Sequence, residues 1–251
     1  MINPYLGEVT VFAFNFAPAG WIACQGQLLS IAEFPTLFSV IGNNFGGDGV
    51  STFGLPNFSS LTDEGGQYCM SLFGTAPTVK RDALPGELAL LPYNPPPSWI
   101  NCDGQLLQVS EYPSLFQILC TAFGGDGTTT FGLPDLRSAP PLLPKGQGGA
   151  PPLPPSIYSI ANVPSGSTAE GILAEVKLFP SACPPNKWST CDGQLLPVGS
   201  NTGLFSLLQT TYGGDGQTNF ALPDFSKLSP PGLQYFICTS GVYPSHPQVD
   251  E

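Results

Sequence analysis

Three aspartates recur in one setting: Asp48, Asp126 and Asp215 each sit in a Gly-Gly-Asp-Gly run. Oxygen-rich glycine loops can hold calcium, but that ion takes about six to eight oxygens from alternating acidic positions, and each loop offers one carboxylate. Asp beside Gly hydrogen-bonds its own backbone well, so a turn-forming, helix-ending role outweighs a metal-binding one. Asp103, Asp135, Asp192 and Asp224 are the right type for the paired acid and base of glycoside hydrolysis. They recur with the same motif, and an active site is seldom copied whereas a packing solution must be. Cys24, Cys102 and Cys191 follow a tryptophan at Trp-x-x-Cys spacing with no second cysteine at zinc distance, which favours buried thiols packing as small hydrophobes. Cys69, Cys120, Cys183 and Cys238 fall outside the shared pattern; Cys183 with Cys191, or Cys69 with another chain, are candidate disulfides. The single histidine, His246, lies near the end and is a poor anchor for Ser–His–Asp catalysis. The glycine loops follow a helix and lack a lysine, unlike phosphate-binding loops. Trp21, Trp99 and Trp188, near Asn, Asp and Gln at turns, are candidates for stacking on a sugar, although an indole at one repeated position is more often core. No catalytic, cofactor-binding or metal-ligating residue is therefore expected.

The elements that must position these residues are short. In 251 residues there are 30 glycines and 29 prolines, while only 10% are Asp, Glu, Lys or Arg. That composition argues for many turns and brief strands and excludes a helical bundle. Seventeen phenylalanines supply apolar surface for a core. A net charge of −11 repels phosphate backbones and anionic lipid, so nucleic acid is disfavoured as a partner. No run approaches the ~18 apolar residues of a membrane span, and no Sec-type leader is visible at the start.

The chain repeats itself three times. The run from Trp21 through Cys24, Gly26 and Gln27 returns as Trp99, Cys102, Gly104 and Gln105, and again as Trp188, Cys191, Gly193 and Gln194. Leu37-Phe38, Leu115-Phe116 and Leu204-Phe205 lie within the copies, which close on Phe53-Gly-Leu55-Pro56, Phe131-Gly-Leu133-Pro134 and Phe220-Ala-Leu222-Pro223. Each copy starts near a glycine, taken as Gly7, Gly86 and Gly171, followed by a β-rich run such as Val9-Thr-Val-Phe12. If Trp21 and Cys24 share a regular strand they face opposite sides, one to the core and one to a neighbouring repeat. Pro35 opens a short helix that places Leu37, Phe38 and Ile41 on one face, and Ser110 is a candidate N-cap for the second copy. Further strands are expected at Gln67–Leu72, Ile157–Ile160 and Gln234–Cys238.

These motifs resemble the phage tail collar domain, and more closely the tail-collar proteins labelled microcystin-dependent. The second copy matches best, through Cys102-Asp103-Gly104-Gln105, Tyr112-Pro113-Ser-Leu115-Phe116 and Phe131-Gly-Leu133-Pro134-Asp135-Leu136-Arg137. The resemblance implies a structural role in a fibre or tail tip, by analogy of fold. Family members usually carry one such unit, whereas this chain carries three.

The expected fold is α+β and β-dominated: three tandem collar-like repeats in a pseudo-threefold arrangement, each a few short strands plus one short helix. Repeat one spans 1–85, repeat two 86–138 and repeat three 171–251, with a Pro/Gly-rich linker and a possible strand at 139–170. The expected function is non-enzymatic: a self-assembling structural protein of an extracellular fibre or phage-tail-like particle, adhesive to other tail proteins or surface glycans, with a lectin-like module as the alternative. Pro4, Tyr5, Tyr235 and Cys238 are expected as contacts through which copies join into an oligomer or filament.

Overall fold

The computed structural model describes residues 4–58, 66–77, 83–84, 86–91, 94–137, 157–161, 170–180, 185–227, 229 and 232–245. His246 and Cys183 lie outside them. The first unit contains β1 (Val9–Phe12), β2 (Trp21–Ala23), β3 (Leu28–Ser30), α1 (Pro35–Ile41), β4 (Thr52–Gly54) and β5 (Gln67–Ser71). The second repeats the order with β6 (Leu88–Leu91), β7 (Trp99–Asn101), β8 (Leu106–Gln108), α2 (Pro113–Leu119), β9 (Thr130–Gly132) and β10 (Ile157–Ala161). The third has β11 (Glu175–Phe179), β12 (Trp188–Thr190), β13 (Leu195–Pro197), α3 (Thr202–Leu208), β14 (Asn219–Ala221) and β15 (Gln234–Cys238). The fold is β-dominated, with the three units in tandem.

In every unit the last strand runs between the first two: β5 pairs with β1 and β2, β10 with β6 and β7, β15 with β11 and β12, all antiparallel. A two-stranded hairpin, β3–β4, β8–β9 or β13–β14, carries the short helix between its strands. Pro35 and Pro113 open α1 and α2 at the first helical turn, where a missing N–H costs no hydrogen bond. The α2 cap position is Tyr112, without a side-chain cap bond, because the turn at Ser110 precedes the helix by two residues. On the helices Leu37, Leu115 and Leu204 are buried, and so are Ile41, Leu119 and Leu208 one turn later. Phe38, Phe116 and Phe205 are half-buried in equivalent positions, packed against the core and tilted against Phe53, Phe131 and Phe220 of the adjacent hairpin. A seven-residue helix has one inward stripe, and the leucines fill it.

The first strands of the units close a ring. Val11 of β1 opposes Val176 of β11, Leu178 of β11 opposes Leu88 of β6, and Leu90 of β6 opposes Val9 of β1. The same two strand positions are used at each junction, so β1, β6 and β11 surround a pseudo-threefold axis. This register also corrects the start of the third copy. Ala174, not Gly171, is equivalent to Gly7 and Gly86, and it adopts the same left-handed backbone at φ 66° beside 79° and 73°.

The segments before the first strands reach across to the next unit. Tyr5 is fully buried in a cluster with Leu91, Trp99 and Ala161 of the second unit, its ring edge-on to Trp99 at 6.1 Å between centroids. Leu84, at the equivalent place before β6, packs with Phe179, Trp188 and Phe236 of the third. No helix among the described residues is long and apolar enough to cross a membrane.

Candidate functional site

A strand that meets two neighbours on an axis must place its inward side chains beside theirs. The residue at the head of each first strand is a glutamate: Glu8, Glu87 and Glu175, at most 4% exposed. Each carboxylate accepts a hydrogen bond from the backbone N–H three residues earlier, Tyr5 to Glu8 at 2.9 Å, Leu84 to Glu87 at 2.9 Å and Ile172 to Glu175 at 3.0 Å. The arms that cross between units are thus tied to the axis. Two residues beyond each glutamate the copies differ, with Thr10, Ala89 and Lys177. The Lys177 ammonium lies 2.6 Å from Glu87 Oε1, 3.4 Å from Glu175 Oε1 and 4.0 Å from Glu8 Oε1. Thr10 Oγ1 donates to Glu175 Oε1 at 3.4 Å. Burial raises the Glu175 carboxyl above the usual range; Lys177 opposes that shift and the other two glutamates reinforce it.

Farther along the axis, Tyr68, Tyr158 and Tyr235 face a cavity of about 40 Å³ that also touches Lys177. The Tyr158 and Tyr235 hydroxyls share a hydrogen bond, and burial pushes all three phenols up. One cation among three carboxylates that already hold backbone N–H groups serves as a structural junction. It offers no nucleophile beside a free base.

The expected motif residues are placed as follows. Trp21, Trp99 and Trp188 are 5%, 5% and 6% exposed, so the stacking of a sugar on these indoles is overturned. Trp21 and Cys24 do not divide between faces of one strand, because β2 ends at Ala23, and both are buried. Cys24, Cys102 and Cys191 are buried thiols whose acidity is suppressed by desolvation. Cys69 and Cys191 are free and buried, and the Cys183 of the expected Cys183–Cys191 pair lies outside the described residues. Gly26, Gly104 and Gly193 turn with positive φ against the side chains of Asn57, Asp135 and Asp224.

The recurrent aspartates organise turns. Asp48 Oδ1 accepts the N–H groups of Val50, Ser51 and Thr52, and Asp126 and Asp215 repeat this with Thr128–Thr130 and Gln217–Asn219. Side-chain bonds from Ser51 and Thr129 lead the causes that hold Asp48 and Asp126 well below the usual carboxylate range; for Asp215 the Asn219 N–H leads. The chain closes tightly over the carboxylate. A Cβ on Gly47, Gly125 or Gly214 would sit 2.5 Å from the Cα of Phe53, Phe131 or Phe220. Asp103 faces Asp135 and Asp192 faces Asp224 across isolated antiparallel bridges, but the first copy has Gln25 and Asn57 there. Asp135 is held down to about 2 by Arg137, which donates from Nε and an Nη nitrogen. Among the described residues, no three His, Cys, Asp or Glu side chains are grouped to hold a metal.

Pro4, Tyr5, Tyr235 and Cys238 are all buried inside the chain. Their surfaces are already committed to intrachain contacts, so they are not interface residues. Sequence reasoning missed the axial glutamates and Lys177. The signal was present as Gly7-Glu8 and Gly86-Glu87, but Ala174-Glu175 hid the third member.

No curated protein and no solved structure matches the chain. The phage tail collar domain model matches residues 7–62, 86–141 and 174–230, about two thirds of the sequence, with one match in each of the three units. The chain belongs to the phage tail collar domain family, whose units form structural parts of tail fibres.

Proposed function

We propose that this protein is a non-enzymatic structural element of a fibre on a virion or phage-tail-like particle, with three collar units built into one polypeptide. The observation that carries this reading is the closed ring of β1, β6 and β11 with one lysine among three glutamates. A homotrimer places three identical residues at an axis; a single chain frees each position to differ. The closer likeness to microcystin-dependent tail-collar proteins belongs to this reading. So do unit boundaries at 1–85, 86–138 and 171–251 around the 139–170 segment, in which β10 completes the second unit's sheet.

Copies stack, or join other tail proteins, through outer surfaces. Leu28, Leu106 and Leu195 support this: they are 59%, 59% and 58% exposed at three equivalent hairpin positions. Isolated exposed leucines are ordinary, but threefold repetition of one is a pattern that a symmetric partner can read. Electron microscopy and light scattering of the purified chain test the reading. Rods or stacks that shorten when all three leucines become serine are expected. Monomers persisting at high concentration would overturn assembly.

A further inference from the structure

The junctions between units are built alike but not lined alike. Where the first unit meets the third, a cleft of about 430 Å³ lies between the loop after β1 and the end of α3, within the range of small-molecule sites. Asn15, Gln25, Gln67, Gln209 and Thr211 line it beside Phe14, and no lining residue carries a formal charge. Gln67 Oε1 is buried and has no hydrogen-bond partner among the described residues. Buried acceptors are nearly always satisfied, and one bordering an open cleft is available to a donor from outside the chain, solvent or ligand.

Among the described residues, the set Gln25, Gln67 and Gln209 occurs at this junction alone. Strand register equates Gln67 with Ile157 and Gln234, and the repeat equates Gln25 with Asp103 and Asp192. The residue that ends each helix is Gly42, Cys120 or Gln209. Amides and a hydroxyl both donate and accept, which matches a ligand dense in hydroxyls. A chain of net charge −11 and a cleft without a cation disfavour phosphate, sulfate or an acidic sugar. An extended peptide needs a free strand edge, and β5 beside the cleft is paired on both sides, with β1 and β2.

We propose that this cleft binds a neutral saccharide, with Gln67 Oε1 accepting from a sugar hydroxyl and Gln25 and Gln209 donating from the rims. The site is complete within one chain, so it does not depend on assembly. Saturation-transfer NMR with maltotriose, chitotriose and lactose on the full chain provides the test. Transfer to at least one of them is expected, with affinity lowered about tenfold or more by Gln67→Leu and by Gln25→Asp. Gln234→Leu, the same change at the equivalent place in the third unit, should leave it unaltered. Gln67→Leu removes an unsatisfied acceptor, so it should stay folded by circular dichroism, and shifts in the Gln25 and Gln209 side-chain amides on adding saccharide provide a second readout. No transfer from any of the three at about 10 mM, transfer indifferent to both variants, or binding of a sulfated disaccharide instead would overturn the proposal. Particles that assemble but bind no saccharide remove this site and leave the fibre reading intact; monomers that bind saccharide do the reverse.

Discussion

The Gly-Gly-Asp-Gly loops and the axial junction are both threefold, yet they treat repetition in opposite ways. In the loops Asp48, Asp126 and Asp215 make the same three backbone contacts, each wholly within its own unit. At the axis the glutamates repeat, while the next inward position is Thr10, Ala89 or Lys177. A loop never sees its copies, so an identical solution serves three times. At the axis each residue is the neighbour of its own equivalents, and three lysines there would repel one another. Repetition is complete where units are independent and is broken, at the position of Thr10, Ala89 and Lys177, where they meet.

The largest expected effect breaks the axial side of that contrast. Lys177→Met leaves three buried carboxylates without this cation and should cost about 3–5 kcal/mol at pH 7 by urea unfolding. The sign with pH is set by proton binding. The Glu175 carboxyl, raised above its ordinary value in the folded state, takes up its proton first there, so the deficit should shrink between pH 7 and pH 5. An equal deficit at both pH values would mean that the ammonium does not neutralise these groups.

Next comes the loop backbone. Gly125→Ala drives a methyl against the Phe131 backbone at a positive φ and should cost about 2–3 kcal/mol. Gly124→Ala meets nothing within 4 Å and should cost only about 1 kcal/mol, through φ alone. Equal losses would remove the close approach as the reason for that glycine.

A gain of about 1 kcal/mol is expected from Ala174→Gly, since the residue holds a left-handed backbone that glycine adopts freely at Gly7 and Gly86. No change in melting temperature would undo the equivalence assigned to the three strand heads. The smallest effect is the exposed Asp126→Asn, expected to lower melting by a few degrees and to be matched by Asp48→Asn and Asp215→Asn, additively. Because these carboxyls are held below their ordinary value, their contribution is full above pH 3.8 and is lost as pH falls further. Unequal losses among the three would show that the loops are not independent.

Sequence spacing revealed what lies inside a unit: Leu37, Leu115 and Leu204 are buried as their helical phase requires, and Pro35 and Pro113 mark the helix starts. It was silent on what lies between units. Val9 through Phe12 reads as an ordinary apolar strand, and nothing local tells that it pairs with β6 and β11. Glu8 next to such a run looks like a solvated strand end, and its burial comes from residues far along the chain. The cleft at Gln67 was invisible for the same reason, since its walls come from the first and third units.

The crossing arms set an order on synthesis. Tyr5 leaves the ribosome well before the pocket around Trp99 that receives it is made, and β1 finds β11 only when the third unit has emerged. Pairing across such separations makes folding slow, because long loops must close before their contacts form. Until the last unit arrives, the nascent chain carries an unreceived Leu84 and an open strand, the features that invite pairing with a neighbouring nascent copy.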